Sequence, residues 1–214
     1  MKKILKLTKD NYKWIILSIC LILFLALAED VFNKEIMQED IIGYNFVKTY
    51  LIKKEITPIM KLITFFGGAT CLIGLTLVLF ITIKNKKIGL LIGINLVTIT
   101  ILNQIFKFIL QRPRPTENRI INENGYSFPS GHSMISMAFY GFLIYLIYKY
   151  VKNKKLKYIS ITLISVLIIF IGISRIYLGV HYTSDVLAGF LFSISYLIIY
   201  VLIANNKVLN KNSK

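Results

Sequence analysis

Cysteine, histidine and acidic residues are the scarce groups in this sequence, and each scarcity narrows what the chain can be. The two cysteines, Cys20 and Cys71, lie inside apolar segments, where a thiol behaves as a small hydrophobe. They supply neither a disulfide framework nor a metal site. Only ten aspartates and glutamates stand against 26 lysines and arginines, for a formal net charge of +16. A balance of this kind can mark a nucleic-acid-binding protein. Here, however, the basic residues sit in short clusters between apolar runs, not along a stripe, which argues against nucleic acid as a partner. Beyond those lysine clusters there is no internal repeat or low-complexity segment. What the chain has in abundance is apolar: 56% of its 214 residues are hydrophobic and its mean hydropathy is +0.66, the composition of a membrane protein.

The apolar runs predict an all-α fold, a six-span transmembrane helical bundle forming one domain over residues 1–214, with spans near 14–28, 58–83, 88–110, 132–148, 158–174 and 182–204. A basic start (Lys2, Lys3, Lys6, Lys9, Lys13) places the N-terminus in the cytoplasm. The same start, followed by 15 apolar residues and Ala26-Leu27-Ala28, also fits a cleavable signal peptide; an uncleaved first span is the expectation. Between spans one and two, Met37, Ile41, Tyr44, Val47 and Leu51 recur at helical intervals. They predict a short amphipathic helix at the outer surface that packs on the bundle or gates a lipid substrate. Lys84, Lys86 and Lys87, then Lys149 to Lys157, then Lys207, Lys211 and Lys214 mark the remaining cytoplasmic segments. With the N-terminal cluster, these hold 16 of the 26 basic residues and one of the ten acids, as expected if both termini are cytoplasmic.

Against that apolar background three polar clusters fall on one outer face. The first is Lys107 with Arg114, the second Pro129-Ser130-Gly131-His132, and the third Arg175 with His181 and Asp185. Charged groups are costly inside a membrane, so their presence there points to function. His181 and Asp185 are four residues apart, which on a helix puts them on one face. The carboxylate can then accept from one imidazole nitrogen and leave the other bare and basic. Three cations near a helix start make an anion site, because the first N–H groups of the fourth span can point at phosphoryl oxygens. Singly, each residue has a plainer use. Lys107 can snorkel, His132 can open a helix, Arg175 can anchor a helix end, and His181 with Asp185 can form a buried structural bond. Four separate structural reasons are needed where one phosphate site suffices. The aromatic residues Tyr126, Phe128, Tyr140, Tyr145, Tyr148 and Tyr177 are expected in interfacial belts or packing.

Lys107-x6-Arg114-Pro115, Pro129-Ser130-Gly131-His132 and Ser174-Arg175-x5-His181-x3-Asp185 together resemble the tripartite signature of the type 2 phosphatidic acid phosphatases, membrane enzymes related to vanadium haloperoxidases. Arg112-Pro113 precedes Arg114-Pro115, and spacing selects Arg114. The resemblance implies His181 as nucleophile, Asp185 as its orienting partner and His132 as the acid for the leaving oxygen. It also implies that Lys107, Arg114, Arg175, Ser130 and the Gly131 backbone hold the phosphoryl oxygens. In-line phosphoryl transfer needs fixed cations and a general acid, and these residues supply both.

Asp185 is the one carboxylate embedded in an apolar span, so metal-independent hydrolysis without a cofactor is expected; Glu117 and Glu123 in the loop remain open as ligands. The expected substrate is a lipid phosphate or pyrophosphate such as undecaprenyl pyrophosphate, phosphatidylglycerophosphate or phosphatidate. Its tail would lie among membrane lipids and its headgroup at the extracytoplasmic side of the cell membrane. The same residues also fit a lipid phosphotransferase, or a non-catalytic protein that binds lipid phosphates. Oligomeric state is not legible in the sequence.

Overall fold

The structure, a computed structural model, describes residues 2–35, 37–116 and 119–209, the side chains of residues 2–10 excepted. Glu117, Lys211 and Lys214 lie outside the described residues. The order is α1 (Lys2–Phe32), α2 (Gln38–Tyr50), α3 (Thr57–Phe66), α4 (Ala69–Thr82), α5 (Lys86–Leu110), α6 (Gly131–Tyr150), α7 (Lys154–Tyr177) and α8 (Thr183–Ala204), which continues as a π-helical turn over Asn205–Leu209. Among the described residues, five helices are long and apolar enough to cross a membrane: α1 over Asn11–Phe32, then α5, α6, α7 and α8 with its extension. The pair α3 and α4 passes the same test only when the two helices are taken together, which gives six candidate spans if the bent pair is one of them. Large apolar side chains such as Ile22, Ile81 and Phe108 face outward, which suits lipid and not water.

The turns between spans follow from local chemistry. Asn85 caps α5 by accepting from the Lys87 N–H at 3.1 Å, and Asn153 caps α7 by accepting from the Leu156 N–H at 3.0 Å. Helix α6 lies at the centre and packs against α5, α7 and α8. In lipid, polar side chains tie helices together. Asn95 Nδ2 reaches the Ala138 carbonyl at 2.9 Å, Ser193 Oγ the Met134 carbonyl at 2.7 Å, and Tyr140 OH the Phe66 carbonyl at 2.8 Å. Helix α1 packs along α8, and Phe24 is enclosed by Phe106, Phe128 and Phe192 with centroids 5.0, 6.1 and 5.0 Å away.

Two sequence expectations need correction. The second span is not one helix over 58–83: it breaks at Gly67-Gly68 and bends by 47°. A Cβ on Gly67 would meet Ile171 Cγ2 at 2.6 Å and His132 Cδ2 at 3.2 Å, so the missing side chains let the break lie against the His132 ring. In α2, the inward stripe is also different from the apolar one. Met37 and Val47 are buried, but Ile41 is exposed and Asp40 is buried in its place. Hydrophobic periodicity cannot foresee a buried carboxylate, which requires a partner distant in sequence.

Helix α8 approaches the start of α6 most closely at Gly189, where a Cβ would sit 3.0 Å from the Met134 nitrogen and 3.1 Å from the Ser130 carbonyl. Both atoms are backbone and cannot swing aside. Gly189→Val is therefore expected to cost about 1–3 kcal/mol, and to lower the thermal midpoint in detergent by roughly 2–10 °C. A variant melting with the wild type would contradict this packing.

Candidate active site

Four segments meet at one end of the bundle: the last turn of α5, the loop from Gln111 to Pro129, the first turn of α6, and the connection from α7 to α8. They surround a cavity of about 630 Å³. Its charged end carries Lys107, Arg114, Glu123, His132 and His181; its other end is apolar, with Leu72, Ile73 and Leu96 among the lining residues.

His181 is not on a helix, contrary to the expectation from its spacing to Asp185. Helix α7 ends at Tyr177 and Gly179 takes a left-handed φ of +70°, so the chain turns before α8 begins at Thr183. Tyr182 occupies the N-cap position of α8, and the Asp185 carboxylate reaches back to accept the Tyr182 N–H at 2.9 Å. The same oxygen lies 3.3 Å from His181 Nδ1. A carboxylate only accepts, so Nδ1 is the protonated nitrogen. On the far side Arg114 Nη1 lies 3.1 Å from His181 Nε2. Guanidinium only donates, so Nε2 carries the lone pair. Two partners from different segments thus select one tautomer, with an unprotonated Nε2 against Arg114, and the residue lines the cavity.

Arg114 is immobilised by the loop and the α7–α8 connection. Its Nε donates to the Gly125 carbonyl at 3.0 Å, Nη1 to the Val180 carbonyl at 2.9 Å and Nη2 to the Asn124 carbonyl at 3.1 Å. Arg175, fully buried, donates through Nη1 to Thr64 Oγ1 at 2.7 Å and through Nη2 to Glu123 Oε1 at 2.6 Å; its Nε has no hydrogen-bond partner. The second oxygen of Glu123 is 3.7 Å from Arg114 Nη2. Arg175 and Arg114 hold the Glu123 carboxyl below the usual carboxylate range despite its partial burial. A carboxylate of the chain itself is therefore clasped by two arginines, one of which also donates to the unprotonated Nε2 of His181.

The remaining expected residues divide. Lys107, Gly131 and His132 line the cavity, with Lys107 Nζ donating to the Tyr126 carbonyl. Ser130 turns away from it. Its hydroxyl accepts from the Ser133 N–H at 3.4 Å and lies 3.0 Å from the Ser133 hydroxyl, capping α6. Asp185 stands behind His181 and is fully buried. Tyr126, expected in a belt or packing, contributes to the cavity wall.

Three charged residues stand at the site in places the sequence did not assign to them: Arg112, Asp40 and Glu123. Arg112 donates through Nη1 to Asp185 Oδ1 at 2.7 Å and through Nη2 to Asp40 Oδ2 at 2.6 Å, so the arginine set aside on spacing is a neighbour of Asp185. Asp40 comes from α2. Glu123, weighed only as a metal ligand, pairs with arginines instead. The signal available for Arg112 was its place in the Arg-Pro-Arg-Pro run; nothing local distinguishes Asp40 from other surface acids.

An all-helical membrane protein with arginines and a tautomer-locked histidine gathered at one end of the bundle is the class that fold and site define. The family model of the PAP2 superfamily matches residues 88–209, and the chain belongs to that superfamily. Phosphatidylglycerophosphatase B of Bacillus subtilis (strain 168) is 35% identical over 142 residues, covering 63% of this chain and 68% of that protein. Undecaprenyl-diphosphatase of Sulfolobus acidocaldarius is 30% identical over 195 residues, 86% of each chain. Among solved structures, the transmembrane PAP2-type phosphatidylglycerolphosphate phosphatase from Bacillus subtilis superposes with a TM-score of 0.79 at 26% identity, covering 89% of this chain and 96% of that one.

Burial is the main reason that His181 is pushed down from 6.5 to about 4. The charges of Arg175 and Arg114 push the same way, and Asp185 opposes them. The folded ring thus binds fewer protons than the unfolded one between these values. Its contribution to stability is intact above about pH 6.5 and declines as pH falls toward about 4. The thermal midpoint of the wild type should drop more steeply across that window than that of His181→Gln. Parallel slopes would contradict a buried neutral His181.

Proposed function

We propose that this protein is a lipid phosphatase that hydrolyses a phosphate or pyrophosphate carried on a membrane-anchored lipid through a phosphohistidine intermediate. The observation that carries this is the Glu123 carboxylate held between Arg114 and Arg175, next to an unprotonated His181 Nε2. A phosphoryl group presents oxygens of the same charge and reach as a carboxylate, with a phosphorus between them for the nitrogen to attack.

The chemistry follows from the groups present. Nε2 attacks phosphorus, the bond to the leaving oxygen breaks, and His132 supplies the proton that oxygen needs. Asp185 stabilises the positive charge that develops on the imidazole, acting at Nδ1. Arg114, Arg175, Lys107 and the Gly131 N–H balance the negative charge on the non-bridging oxygens. Water, deprotonated by His132, then attacks the phosphohistidine; the P–N bond breaks, inorganic phosphate leaves and His181 regains its lone pair. Each carboxylate placed at the site is occupied, Asp40 and Asp185 by Arg112, and Glu123 by Arg175. Carboxylates committed in this way do not offer a divalent ion a ready ligand set, which supports a metal-independent step.

The cavity runs from a charged end to an apolar one, the shape of a headgroup joined to a tail. Two relatives bear the names of enzymes acting on phosphatidylglycerophosphate and undecaprenyl diphosphate, and a lipid of one of these kinds is the proposed substrate. The distribution of lysines supports cytoplasmic termini and an active site on the extracytoplasmic side.

The test is release of inorganic phosphate from a panel of lipid phosphates and pyrophosphates in detergent, without an acceptor lipid and with EDTA present. The wild type should turn over at least one class, His181→Ala should fall to background, and acid-labile, base-stable label from a phosphorus-labelled substrate should appear on the wild type only. Loss of activity in EDTA with recovery in magnesium would overturn the metal-free step. For the topology, a cysteine introduced at Asn122 in a chain lacking Cys20 and Cys71 should react with an impermeant maleimide added to intact cells. Labelling only after the membrane is opened would reverse the orientation.

A further inference from the structure

The Arg-Pro-Arg-Pro segment places its two arginines on opposite sides of the His181 and Asp185 pair. Arg114 contacts the imidazole at Nε2, as described. Arg112 lies behind the carboxylate, with Nη1 2.7 Å from Asp185 Oδ1 and 2.7 Å from the Ser184 hydroxyl. Its guanidinium lies 4.1 Å from the centre of the Tyr182 ring, a cation–π contact that fixes its plane. Asp40, from α2, completes the arrangement. Its Oδ2 accepts from Arg112 Nη2 at 2.6 Å, and its Oδ1 accepts the Ser184 N–H at 2.8 Å, in the first turn of α8. Only 13% of the Arg112 side chain and 9% of the Asp40 side chain are exposed, so water does little to screen either charge.

The order of charges is Asp40, Arg112, Asp185, His181, with signs alternating up to the ring. Arg112 alone would hold Asp185 in place but would also neutralise it. A neutralised carboxylate gives little support to a positive imidazole. Asp40 balances Arg112, so the orientation is kept while Asp185 retains its negative character toward Nδ1. We infer that Arg112 and Asp40 are positioning residues for the phosphotransfer step, acting on His181 through Asp185, and that α2 is a working part of the active site. This goes beyond a surface helix or a gate: α2 carries the terminal charge of the network.

Neither residue lines the charged cavity, so both should affect turnover more than substrate binding. Asp40→Asn and Arg112→Gln should each lower kcat roughly 10- to 100-fold, the scale expected when a functional ligand loses the group that orients it, with KM within about twofold. Arg112→Lys keeps the charge and loses the two-pronged geometry, and should fall between wild type and Arg112→Gln. In an Asp185→Asn background, neither Asp40→Asn nor Arg112→Gln should lower kcat by more than about twofold further, since the residue they act through is already disabled. A merely structural pair would still cost activity there.

The inference rests on the proposed phosphatase activity, and a second measurement separates the two. In an untagged His132→Ala protein His181 is the only histidine, so its ring nitrogens are read directly by ¹⁵N spectroscopy. That ring should show the Nδ1-protonated tautomer, and Asp40→Asn or Arg112→Gln should convert it to a mixture of tautomers. An active wild type whose Asp40→Asn and Arg112→Gln variants keep its kcat would overturn the inference alone. So would an unchanged His181 tautomer in those variants, whatever the activity. A wild type inactive on every lipid phosphate and pyrophosphate would overturn the phosphatase function, and the tautomer result would still decide the roles of Arg112 and Asp40.

Discussion

A single buried carboxylate, that of Asp185, sets the conditions for the rest of the site. With no exposure to water, it is tolerable only because all its bonds come from the protein: the Tyr182 N–H, His181 Nδ1 and Arg112 Nη1. Those three partners come from the α7–α8 connection and from the loop after α5. Satisfying one charge therefore draws two distant stretches of chain into a fixed relation. The imidazole tautomer, the direction of Nε2 and the start of α8 all follow from that satisfaction.

From Asp185 the compensation spreads outward. Arg112 brings in Asp40 and with it α2; on the other side His181 meets Arg114, Arg114 meets Glu123, and Glu123 meets Arg175. Charges of alternating sign stand on either side of the neutral His181 ring, and in a low-dielectric setting each charge is stabilised by its opposite neighbours. Glu123 is the most exposed of those acids and lines the cavity. Under the proposed function, a phosphoryl group takes its place between the two arginines.

The helices serve this end of the molecule through small residues and interhelical bonds. Gly189 lets α8 close on the start of α6, and the Gly67-Gly68 break lets α3 and α4 pass the His132 ring. Tyr140, Asn95 and Ser193 then fasten α6 to three neighbours through backbone carbonyls. Such bonds suit a lipid-facing protein, in which apolar contact between helices is no more favourable than contact with lipid.

The sequence by itself determined the all-helical membrane class of the fold and singled out the residues of the three motifs that the folded chain brings to one end of the bundle. Hydropathy, charge bias and motif spacing are properties of local stretches and can be read without coordinates. It also pointed to one shared anion site, because three motifs on the same face were simpler to explain together than apart. Only the tertiary structure decided how His181 meets Asp185, which is across a turn and an N-cap and not along a helix, and that Ser130 caps α6 instead of facing the cavity. It also decided the bend between α3 and α4 and the burial of Asp40. Each of these depends on a partner far away in sequence, an arginine behind a carboxylate or a ring against a glycine. Such pairings arise from packing in three dimensions, which periodicity along one dimension does not encode.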